Sequence, residues 1–402
     1  MNVLFLTLAY HPDILDEVTA ASKSGLQNQI NNYQWAFING LRECAKNENA
    51  VEVVNALPVG IFPLHYRKIY LSMRHLGENF QEIGGINVPW FKQKARRKKA
   101  FQAIVAWAQK SKNNRTVLIY SLYLPYLQAA EKAKKRFPDL KVSVIVADLP
   151  NELGISSGRR GLLKKIEYKM GNQKNEICEK MDGFILLTKH MAEALPIADK
   201  AQMVMEGLVL PQARILDTDE NKREPKPLPV VLYSGTLNRE LGIDELLGAF
   251  RNMPEYALWL CGKGDMEKEV ADACAVCPNI HYLGFVSQQK ALELQAQADV
   301  LINPRSGKGL FTRYSFPSKT LEYMRSGKPV LCYKLEGIPD EYDAFLRYIP
   351  EGEGGITAAI RNIFTLPSEA RKEIGESARK FTLSEKSAAS QCKKLWDFLG
   401  KV

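Results

Sequence analysis

The segment between residues 303 and 322 holds the residues best suited to bind an anion. It reads NPR at 303–305 and YSFPSKTLE at 314–322. Ser315 or Ser318 can cap a helix whose unpaired backbone N–H groups would meet a phosphate. Lys319 lies in the first turn of that helix, where a cation is unfavourable unless an anionic partner compensates for it. The segment therefore predicts a phosphate-binding helix N-terminus.

Glu322 follows Lys319 by one helical turn, which places both side chains on the same face of the predicted helix. A carboxylate there can accept two hydrogen bonds from the vicinal hydroxyls of a ribose. The alternative is an ordinary surface ion pair between the two side chains. The residues alone leave both interpretations open.

Two glycine-containing turns follow apolar runs in the same half of the chain. They are SGTL at 234–237 and GKGD at 262–265. A glycine at a strand end lets another backbone approach closely and leaves N–H groups that can point at an anion. Neither turn has the spacing of the dinucleotide fingerprint or of the P-loop, which argues against hydride transfer and ATP hydrolysis.

Short apolar runs alternate with longer helical patterns along the whole chain, which is typical of the α/β class. Because the runs are continuously apolar, we expect strands that are buried on both faces of a parallel sheet. Such sheets bind ligands outside the carboxyl ends of their strands, where the turns described above lie. The expected strands occupy 3–8, 51–56, 117–120, 142–146 and 183–187 in the first half, and 230–234, 257–261, 280–283, 300–303 and 329–333 in the second.

A polar stretch at 217–229, interrupted by prolines, separates the two sets of strands. This composition is typical of an interdomain linker. We therefore predict two doubly wound domains, at 1–211 and 229–380. They are joined by a linker at 212–228 and followed by a C-terminal helical segment at 381–402.

The formal net charge of +10 is confined to the first half of the chain. Residues 1–210 contain 29 basic and 19 acidic side chains, whereas residues 211–402 contain 26 of each. The surplus suits nucleic acid, an anionic membrane surface or a phosphate-bearing acceptor. The basic side chains cluster at Lys92–Lys99 and again at Arg159, Arg160, Lys164, Lys165 and Lys169.

Apolar residues recur at helical spacing beside the second basic cluster. The pattern fits an interfacial helix on anionic lipid, or an ordinary amphipathic helix that packs on the sheet. Its members are Leu163, Ile166, Met170, Ile177 and Met181.

The sequence contains features that predict a cytoplasmic protein. It has no uninterrupted run of apolar residues long enough to span a membrane, and its N-terminus lacks the basic region and cleavage site of a signal peptide. Seven scattered cysteines fit a reducing compartment. Cys274 and Cys277 have no second pair at zinc-binding spacing, so we expect no metal site. Attachment to the inner face of a membrane stays open.

The order of the motifs in the second half resembles family 4 glycosyltransferases, which are retaining enzymes of GT-B architecture. The resemblance rests on GTL and GIDELL at 235–247, LCGKGD at 260–265, HYLGFV at 281–286, NPR at 303–305 and YSFPSKTLEYMRSGKPVL at 314–331. In the first half the recognisable pieces are DLP at 148–150 and GFILLTKHM at 183–191. The SFPSK form resembles the branch that builds bacterial surface polysaccharides and glycans.

This resemblance implies a fold and a division of labour. Two Rossmann-like domains would face each other across a cleft, the first binding the acceptor and the second the nucleotide sugar. The C-terminal helix, expected at 384–400, would pack back on the first domain.

The resemblance also implies roles for individual residues. Glu322 would hold the ribose of the nucleotide, and Arg305 and Lys319 would neutralise the diphosphate. The remaining donor-binding positions would be Gly235 and Thr236 beside the diphosphate, Gly262 and Gly264 along the nucleotide, Gly284, Phe285 and Val286 at the base, and the amides of Ser315, Phe316 and Pro317 at the sugar and diphosphate.

The sequence departs from the family pattern at three places. Tyr314 stands where many members carry a glutamate. Thr236 and Leu241 replace an arginine and a lysine on the first glycine turn, so neutralisation of the diphosphate falls to Arg305, Lys319 and Arg313. Ala147 replaces a histidine before Asp148, which leaves Asp148 as the candidate acceptor-side carboxylate; a buried capping role is the alternative.

The implied activity is the transfer of a hexosyl group from a nucleotide-diphosphate sugar to a glycan or a polyprenyl-diphosphate-linked acceptor. The anomeric configuration would be retained, and neither a metal nor a cofactor would be needed. One alternative is an epimerase or hydrolase of nucleotide sugars with the same fold. The other, a basic nucleic-acid-binding protein, lacks a recognisable motif and interleaved aromatics.

Overall fold

The computed structural model of the chain describes residues 1–45, 47–77, 79–111, 113–149, 162–210, 226–307 and 312–402. The chain divides into two compact units. The first comprises Met1–Leu210 together with Ala388–Val402, and the second comprises Pro211–Ser387. The predicted linker at 212–228 lies almost entirely outside the described residues.

The first unit is built on a large, mostly parallel sheet. Its strands are β1 (Asn2–Thr7), β2 (Val51–Asn55), β3 (Tyr70–Leu71), β4 (Arg74–His75), β5 (Phe80–Glu82), β6 (Gly85–Ile86), β7 (Arg115–Tyr120), β8 (Lys141–Val146), β9 (Gly183–Leu186) and β10 (Ala201–Val204). The sheet has the order β10-β9-β8-β7-β1-β2-β5-β4, in which only β4 and β5 pair antiparallel. β3 and β6 form a separate antiparallel pair.

The strands of this sheet are buried on both faces, as their continuous apolar sequence predicts. Val3, Phe5, Val117 and Leu118 have no measurable exposure. The helices that connect the strands are α1 (Leu15–Ala21), α2 (Asn28–Cys44), α3 (Phe91–Lys110), α4 (Leu124–Arg136) and α5 (Leu162–Cys178), with short 3-10 helices at Pro12–Ile14, Glu48–Ala50 and Lys189–Ala194.

The second unit repeats the design with a smaller sheet. Its strands are β11 (Val230–Ser234), β12 (Ala257–Cys261), β13 (Ile280–Tyr282), β14 (Val300–Asn303), β15 (Val330–Cys332) and β16 (Arg347–Tyr348). They are all parallel and have the order β13-β12-β11-β14-β15-β16. The helices are α6 (Ile243–Arg251), α7 (Glu267–Val276), α8 (Gln288–Gln297), α9 (Ser318–Arg325), α10 (Gly355–Thr365) and α11 (Ser368–Glu385), with 3-10 helices at Arg239–Leu241 and Asp340–Tyr342.

Each sheet reverses its strand order at its first strand. β1 lies between β2 and β7, and β11 lies between β12 and β14. In open α/β sheets the crevice at the carboxyl ends of such strands is where ligands bind. The predicted α/β class with doubly wound parallel sheets is confirmed in both units.

The C-terminal helix α12 (Ala388–Leu399) belongs to the first unit. Leu395 and Leu399 lie in the same buried cluster as Phe37 and Leu41 of α2. The return to the first unit begins at Ala388, later than residue 381, where the sequence places it. Helix α11 runs on to Glu385 because Phe381 packs edge-on against Tyr342 of the second unit, with 5.3 Å between ring centroids.

The contact between α2 and α12 leads to a prediction about two helical glycines. A Cβ on Gly40 would lie 2.5 Å from Cys392 Sγ and 2.8 Å from Cys392 Cβ, whereas a Cβ on Gly248 in α6 would meet nothing within 4 Å. We expect Gly40→Ala to lower the free energy of unfolding by about 1–3 kcal/mol through overpacking. Gly248→Ala should raise it by roughly 0.5–1 kcal/mol through helix propensity. Urea denaturation measures both; equal stabilisation by the two changes would contradict the packing of α12 on α2.

Candidate functional site

The strands at the reversal of the second sheet end in the two turns that the sequence marks as functional. β11 ends at Ser234, before the turn at 234–237, and its neighbour β14 ends at Asn303, before the turn at 303–305. Asn303 is buried, and its amide lies 3.4 Å from the hydroxyl of Thr320 on α9. The N-terminal half of α9 is thereby placed at the carboxyl edge of the sheet.

Lys319 and Glu322 of α9 form an ion pair at this edge. Lys319 Nζ lies 3.1 Å from Glu322 Oε1 and 3.0 Å from Oε2. About a third of each side chain is exposed. The charges of Lys319 and Glu322 also shift the pKa of the Cys261 thiol at the end of β12. Burial raises the pKa of that thiol to about 11, Lys319 lowers it and Glu322 raises it. The pair therefore lies close to the ends of the central strands.

Gln295 on α8 holds Glu322 in place, and sequence reasoning missed it. Its Nε2 donates to Glu322 Oε1 at 2.7 Å and lies 3.2 Å from Ser234 Oγ. Only the NH2 side of this buried amide can face the carboxylate, which fixes its orientation. A signal was present in the sequence: Gln295 shares a helix face with Ala291 and Ala298, where an apolar residue is the norm.

Tyr323 ties the same helix to the end of β11. Its hydroxyl accepts from the backbone N–H of Ser234 at 2.8 Å and donates to the Ser234 carbonyl at 2.9 Å. Tyr323 is fully buried. Because Tyr323 follows Glu322 directly, this bond fixes the position of the Glu322 backbone against the strand.

Neither serine caps α9, contrary to the prediction from the sequence. Ser315 Oγ accepts instead from Arg305 Nη2 at 2.7 Å, and the N-cap residue is Pro317, without a side-chain cap hydrogen bond. Helix geometry leaves the first backbone N–H groups of α9, those of Ser318 and Lys319, without intrahelical acceptors. The expected polar helix N-terminus is present, but its cap is different.

The turn at 315–317 offers less to a ligand than the sequence suggests. Pro317 has no N–H group, so it cannot contribute an amide. The side chain of Phe316 is buried against Tyr342, with 5.3 Å between ring centroids. Arg305 is half-buried beside this turn, and burial lowers the pKa of its guanidinium. A half-buried guanidinium at a strand end is well placed to meet an anion.

The two glycine turns serve mainly to bring the loops after β11 and β12 together. A Cβ on Gly262, whose φ is +145°, would lie 1.7 Å from the Gly235 carbonyl oxygen, and one on Gly264 would lie 2.2 Å from that of Leu237. The Gly235 amide donates to the Cys261 carbonyl at 2.9 Å, and the Gly264 amide donates to Glu267 Oε1 at 3.1 Å. The expectation that the Gly235 amide points at an anion is therefore wrong. Thr236 is exposed beside them.

The turn after β13 presents an aromatic face. Phe285 is 70% exposed, and Val286 beside it is half-buried. Lys263 Nζ lies 5.0 Å from the centroid of the Phe285 ring. An exposed ring at a strand end suits stacking against a planar base.

Asp148 belongs to the first unit, directly after β8, and its side chain is exposed. This exposure does not fit the alternative of a buried capping residue. Burial lowers the pKa of Lys174 on α5, and the Asp148 charge acts in the opposite direction. Pro150, the last residue of the DLP motif, lies outside the described residues.

The basic cluster at 92–99 is only partly a surface feature. Lys92 and Arg96 are buried, where the Lys92 ammonium donates to the Val59 carbonyl and Arg96 donates to the Leu57 carbonyl. Burial lowers the pKa of Lys92 to about 7. These two residues satisfy loop carbonyls, so neither binds a surface partner as the sequence suggested. The exposed members are Lys94, Arg97 and Lys98.

The second basic cluster and its apolar stripe are described in part. Arg159, Arg160 and the side chains of Leu163, Lys164 and Ile166 lie outside the described residues. Lys165 and Lys169 are exposed. Ile177 and Met181 are buried whereas Met170 is 41% exposed, so the end of this stripe packs as in an ordinary amphipathic helix.

The described ranges contain neither a metal-binding cluster nor a membrane-spanning helix. Within these ranges, no group of three or more His, Cys, Asp or Glu side chains is placed to hold a metal ion. In the same part of the chain, no helix is both long and apolar enough to cross a bilayer.

A buried carboxylate lies at the carboxyl end of β5 in the first unit. Glu82 is 2% exposed and borders a cavity of about 40 Å³ that Glu17, Tyr66 and Arg74 also line. Burial raises the pKa of Glu82 to about 7, against the lowering effect of the Arg74 charge. Glu82 therefore titrates near neutral pH in the folded protein.

This pKa predicts a pH dependence of stability. The folded state holds the Glu82 proton more tightly than the unfolded state, whose pKa is near 4.5. Stability should therefore fall as pH rises from about 4.5 to 7, by up to about 3 kcal/mol. Urea midpoints of Glu82→Gln should lack this fall, while the exposed control Glu373→Gln keeps it. Lys92 does not interfere, because its lowered pKa changes stability only between about pH 7 and 10.5, where it makes stability rise with pH. Identical pH profiles for both variants would contradict the assignment.

Known proteins resemble the chain in one domain by sequence and throughout by fold. Residues 216–381 match the family model described as Glycosyl transferases group 1. The chain has no significant match among curated proteins. Similar solved structures include a glycosyltransferase from Rickettsia africae ESF-5, with a TM-score of 0.65 at 13% identity over 100% of this chain and 98% of that chain.

Two further structures extend this likeness. WaaG, a glycosyltransferase involved in lipopolysaccharide biosynthesis, has a TM-score of 0.57 at 17% identity over 99% of both chains. The catalytic domain of starch synthase IV from Arabidopsis thaliana, bound to ADP and acarbose, has a TM-score of 0.60 at 12% identity over 100% of both chains. Identities this low concern the fold alone. The chain thus has the GT-B fold, and residues 216–381 of its second unit are similar to the glycosyl transferases group 1 family.

Proposed function

We propose that the protein is a glycosyltransferase that moves a hexosyl group from a nucleotide-diphosphate sugar to a glycan or lipid-linked acceptor, with retention of configuration. The observation that carries this proposal is the Lys319–Glu322 pair, held by Gln295 at the reversal of a sheet in a glycosyl transferases group 1 domain. A cation, a carboxylate and a helix N-terminus together suit a nucleoside diphosphate.

The nucleotide binds along the carboxyl edge of the second sheet. Glu322 accepts hydrogen bonds from the ribose hydroxyls, while the Lys319 ammonium moves from the carboxylate to the diphosphate. Phe285, exposed after β13, packs against the base. The ADP in starch synthase IV, a structure of the same fold, supports a nucleotide as the ligand.

Charge on the leaving group governs the chemistry. The bond between the anomeric carbon and the phosphate oxygen breaks, and the acceptor oxygen bonds to that carbon on the same face. The acceptor proton passes to the leaving diphosphate. Arg305, Lys319 and the first amides of α9 stabilise the charge that develops there, without a metal ion or cofactor.

The first unit binds the acceptor. Asp148, exposed after β8, is the proposed acceptor-side carboxylate. The basic surplus of residues 1–210 suits a phosphate-bearing acceptor such as a polyprenyl diphosphate. This points to a cytoplasmic enzyme of surface glycan synthesis that works at the inner face of a membrane.

Removing either member of the ion pair should abolish most transfer. We expect Lys319→Ala and Glu322→Ala each to reduce turnover by about 10²-fold or more, since each removes an interaction with the donor. Release of nucleoside diphosphate from a panel of nucleotide sugars, with and without acceptor and in the presence of a chelator, measures this. Near-normal turnover of either variant would refute the site. Release without any acceptor would favour an epimerase or hydrolase instead.

Gln295 should act as a positioning residue through Glu322. Gln295→Leu keeps the volume but removes the bond to the carboxylate, so we expect KM for the donor to rise about tenfold. The kcat should change far less, because Gln295 does not touch the reacting atoms. Gln297→Leu, an exposed glutamine on the same helix, is the matched control. A fall in kcat at unchanged KM would contradict the positioning role.

A further inference from the structure

We propose that residues 64–91 of the first unit dock on an anionic lipid surface. Seven large apolar side chains of this segment are between 46% and 71% exposed: Leu64, Ile69, Tyr70, Met73, Ile86, Trp90 and Phe91. We call them the apolar patch. A monomeric protein rarely exposes so many large apolar groups within one segment unless a partner covers them.

Hydrogen bonds hold these residues within one folded segment. Tyr70 and Ile86 are directly paired across β3 and β6, so their exposed side chains lie on the same face of that ladder. The backbone N–H of Asn87 donates to the Ile69 carbonyl at 2.7 Å, and the side-chain amide of Asn87 donates to the Gly60 carbonyl at 3.0 Å. Asn87 is fully buried. The apolar side chains are therefore presented by an ordered scaffold.

Trp90 is held in a conformation that folding alone does not explain. It has φ +66° and ψ −48°, and the Phe91 N–H donates to the Pro89 carbonyl at 2.7 Å across it. This is the strained form of γ-turn, which is rare for a bulky residue. The turn leaves the indole 71% exposed, so the strain is not offset by burial of the ring. Such strain is typical of functional positions.

The charge around the patch is complementary to anionic lipid. Residues 62–99 carry nine Lys and Arg residues against two Glu residues, although Lys92 and Arg96 are buried and do not add to the charge of the surface. Arg67, Lys94, Arg97 and Lys98 are exposed, whereas Glu82 is buried. Lys68 and Arg74 pair with Glu17 and contribute less. Trp and Tyr beside Lys and Arg are the residues that favour a membrane interface.

The same charges argue against a second copy of the chain as the occupant. Two such patches face to face would bring like charges together, which opposes association. An anionic bilayer instead accepts both the cations and the aromatic rings. The segment comes after β2 and contains β5, and because these strands are parallel their carboxyl ends lie at one edge of the first sheet, the edge at which open α/β sheets bind ligands. Docking there would present that edge to a lipid-linked acceptor, and this last link rests on the proposed function.

Vesicle flotation of the full chain tests the docking. Vesicles contain phosphatidylcholine alone or mixed with phosphatidylglycerol, at low and high salt. Wild type should float only with anionic vesicles, and salt should weaken this binding. Trp90→Gly combined with Phe91→Ser should abolish flotation; glycine also suits the positive φ at position 90. Lys94→Gln, Arg97→Gln and Lys98→Gln together should weaken binding roughly a hundredfold, at about fivefold per cation. The control Val276→Ser changes an 81% exposed residue of the second unit and should bind like wild type.

Three outcomes would overturn the docking proposal. They are flotation of the Trp90→Gly and Phe91→Ser variant at the wild-type level, absence of wild-type flotation, and self-association of wild type in sedimentation that the same variant abolishes. Thermal unfolding of each variant checks its fold. Normal transfer to a soluble acceptor without flotation would refute the docking alone. Flotation without turnover of any nucleotide sugar would refute the proposed function alone.

Discussion

The buried hydrogen bonds around Ser234 are the constraint on which the candidate site depends. The Ser234 backbone at the end of β11 bonds to Tyr323, and Gln295 joins the Ser234 hydroxyl to Glu322. Strand, α8 and α9 therefore meet at one point. Since Tyr323 and Gln295 are almost fully buried, water cannot replace these bonds, and each partner lost would leave a polar group unsatisfied. This network aims the N-terminus of α9 at the reversal of the sheet.

The electrostatics of the site follow from that arrangement. Lys319 lies at the positive end of a helix, where its charge is unfavourable, and Glu322 compensates for it at 3.0 Å. A diphosphate would supply stronger compensation to Lys319 and to the half-buried Arg305 at the same time. Glu322 would then be free to accept hydroxyl donors. The observed ion pair and the proposed nucleotide binding are thus compatible uses of the same residues.

The sequence predicted the sheets well because continuous apolar runs determine which strands are buried on both faces. It also identified the region of α9, since Lys319 and Glu322 are local neighbours in the chain. Prediction from the sequence failed for side chains whose hydrogen-bond partners lie on other elements of the chain. Ser315 or Ser318 was expected to cap α9, but the Ser315 hydroxyl accepts a hydrogen bond from Arg305, and the N-cap residue is Pro317. Gln295 was missed because its acceptor lies on another helix. Lys92 and Arg96 were taken as surface cations, although loop carbonyls bind them in the interior.

The burial of Lys92 and Arg96 also shows which positive charges of the first unit can attract a partner. These two cations donate hydrogen bonds to loop carbonyls. They therefore stabilise the segment between residues 57 and 92 and do not attract a distant partner. The cations left exposed in this region, such as Arg67, Lys94 and Arg97, flank the apolar patch. Nucleic acid would use their charge but would leave Trp90, Phe91 and Ile86 uncovered in water. A lipid surface satisfies both groups, because it offers anionic headgroups and an apolar interior within a few ångströms of each other.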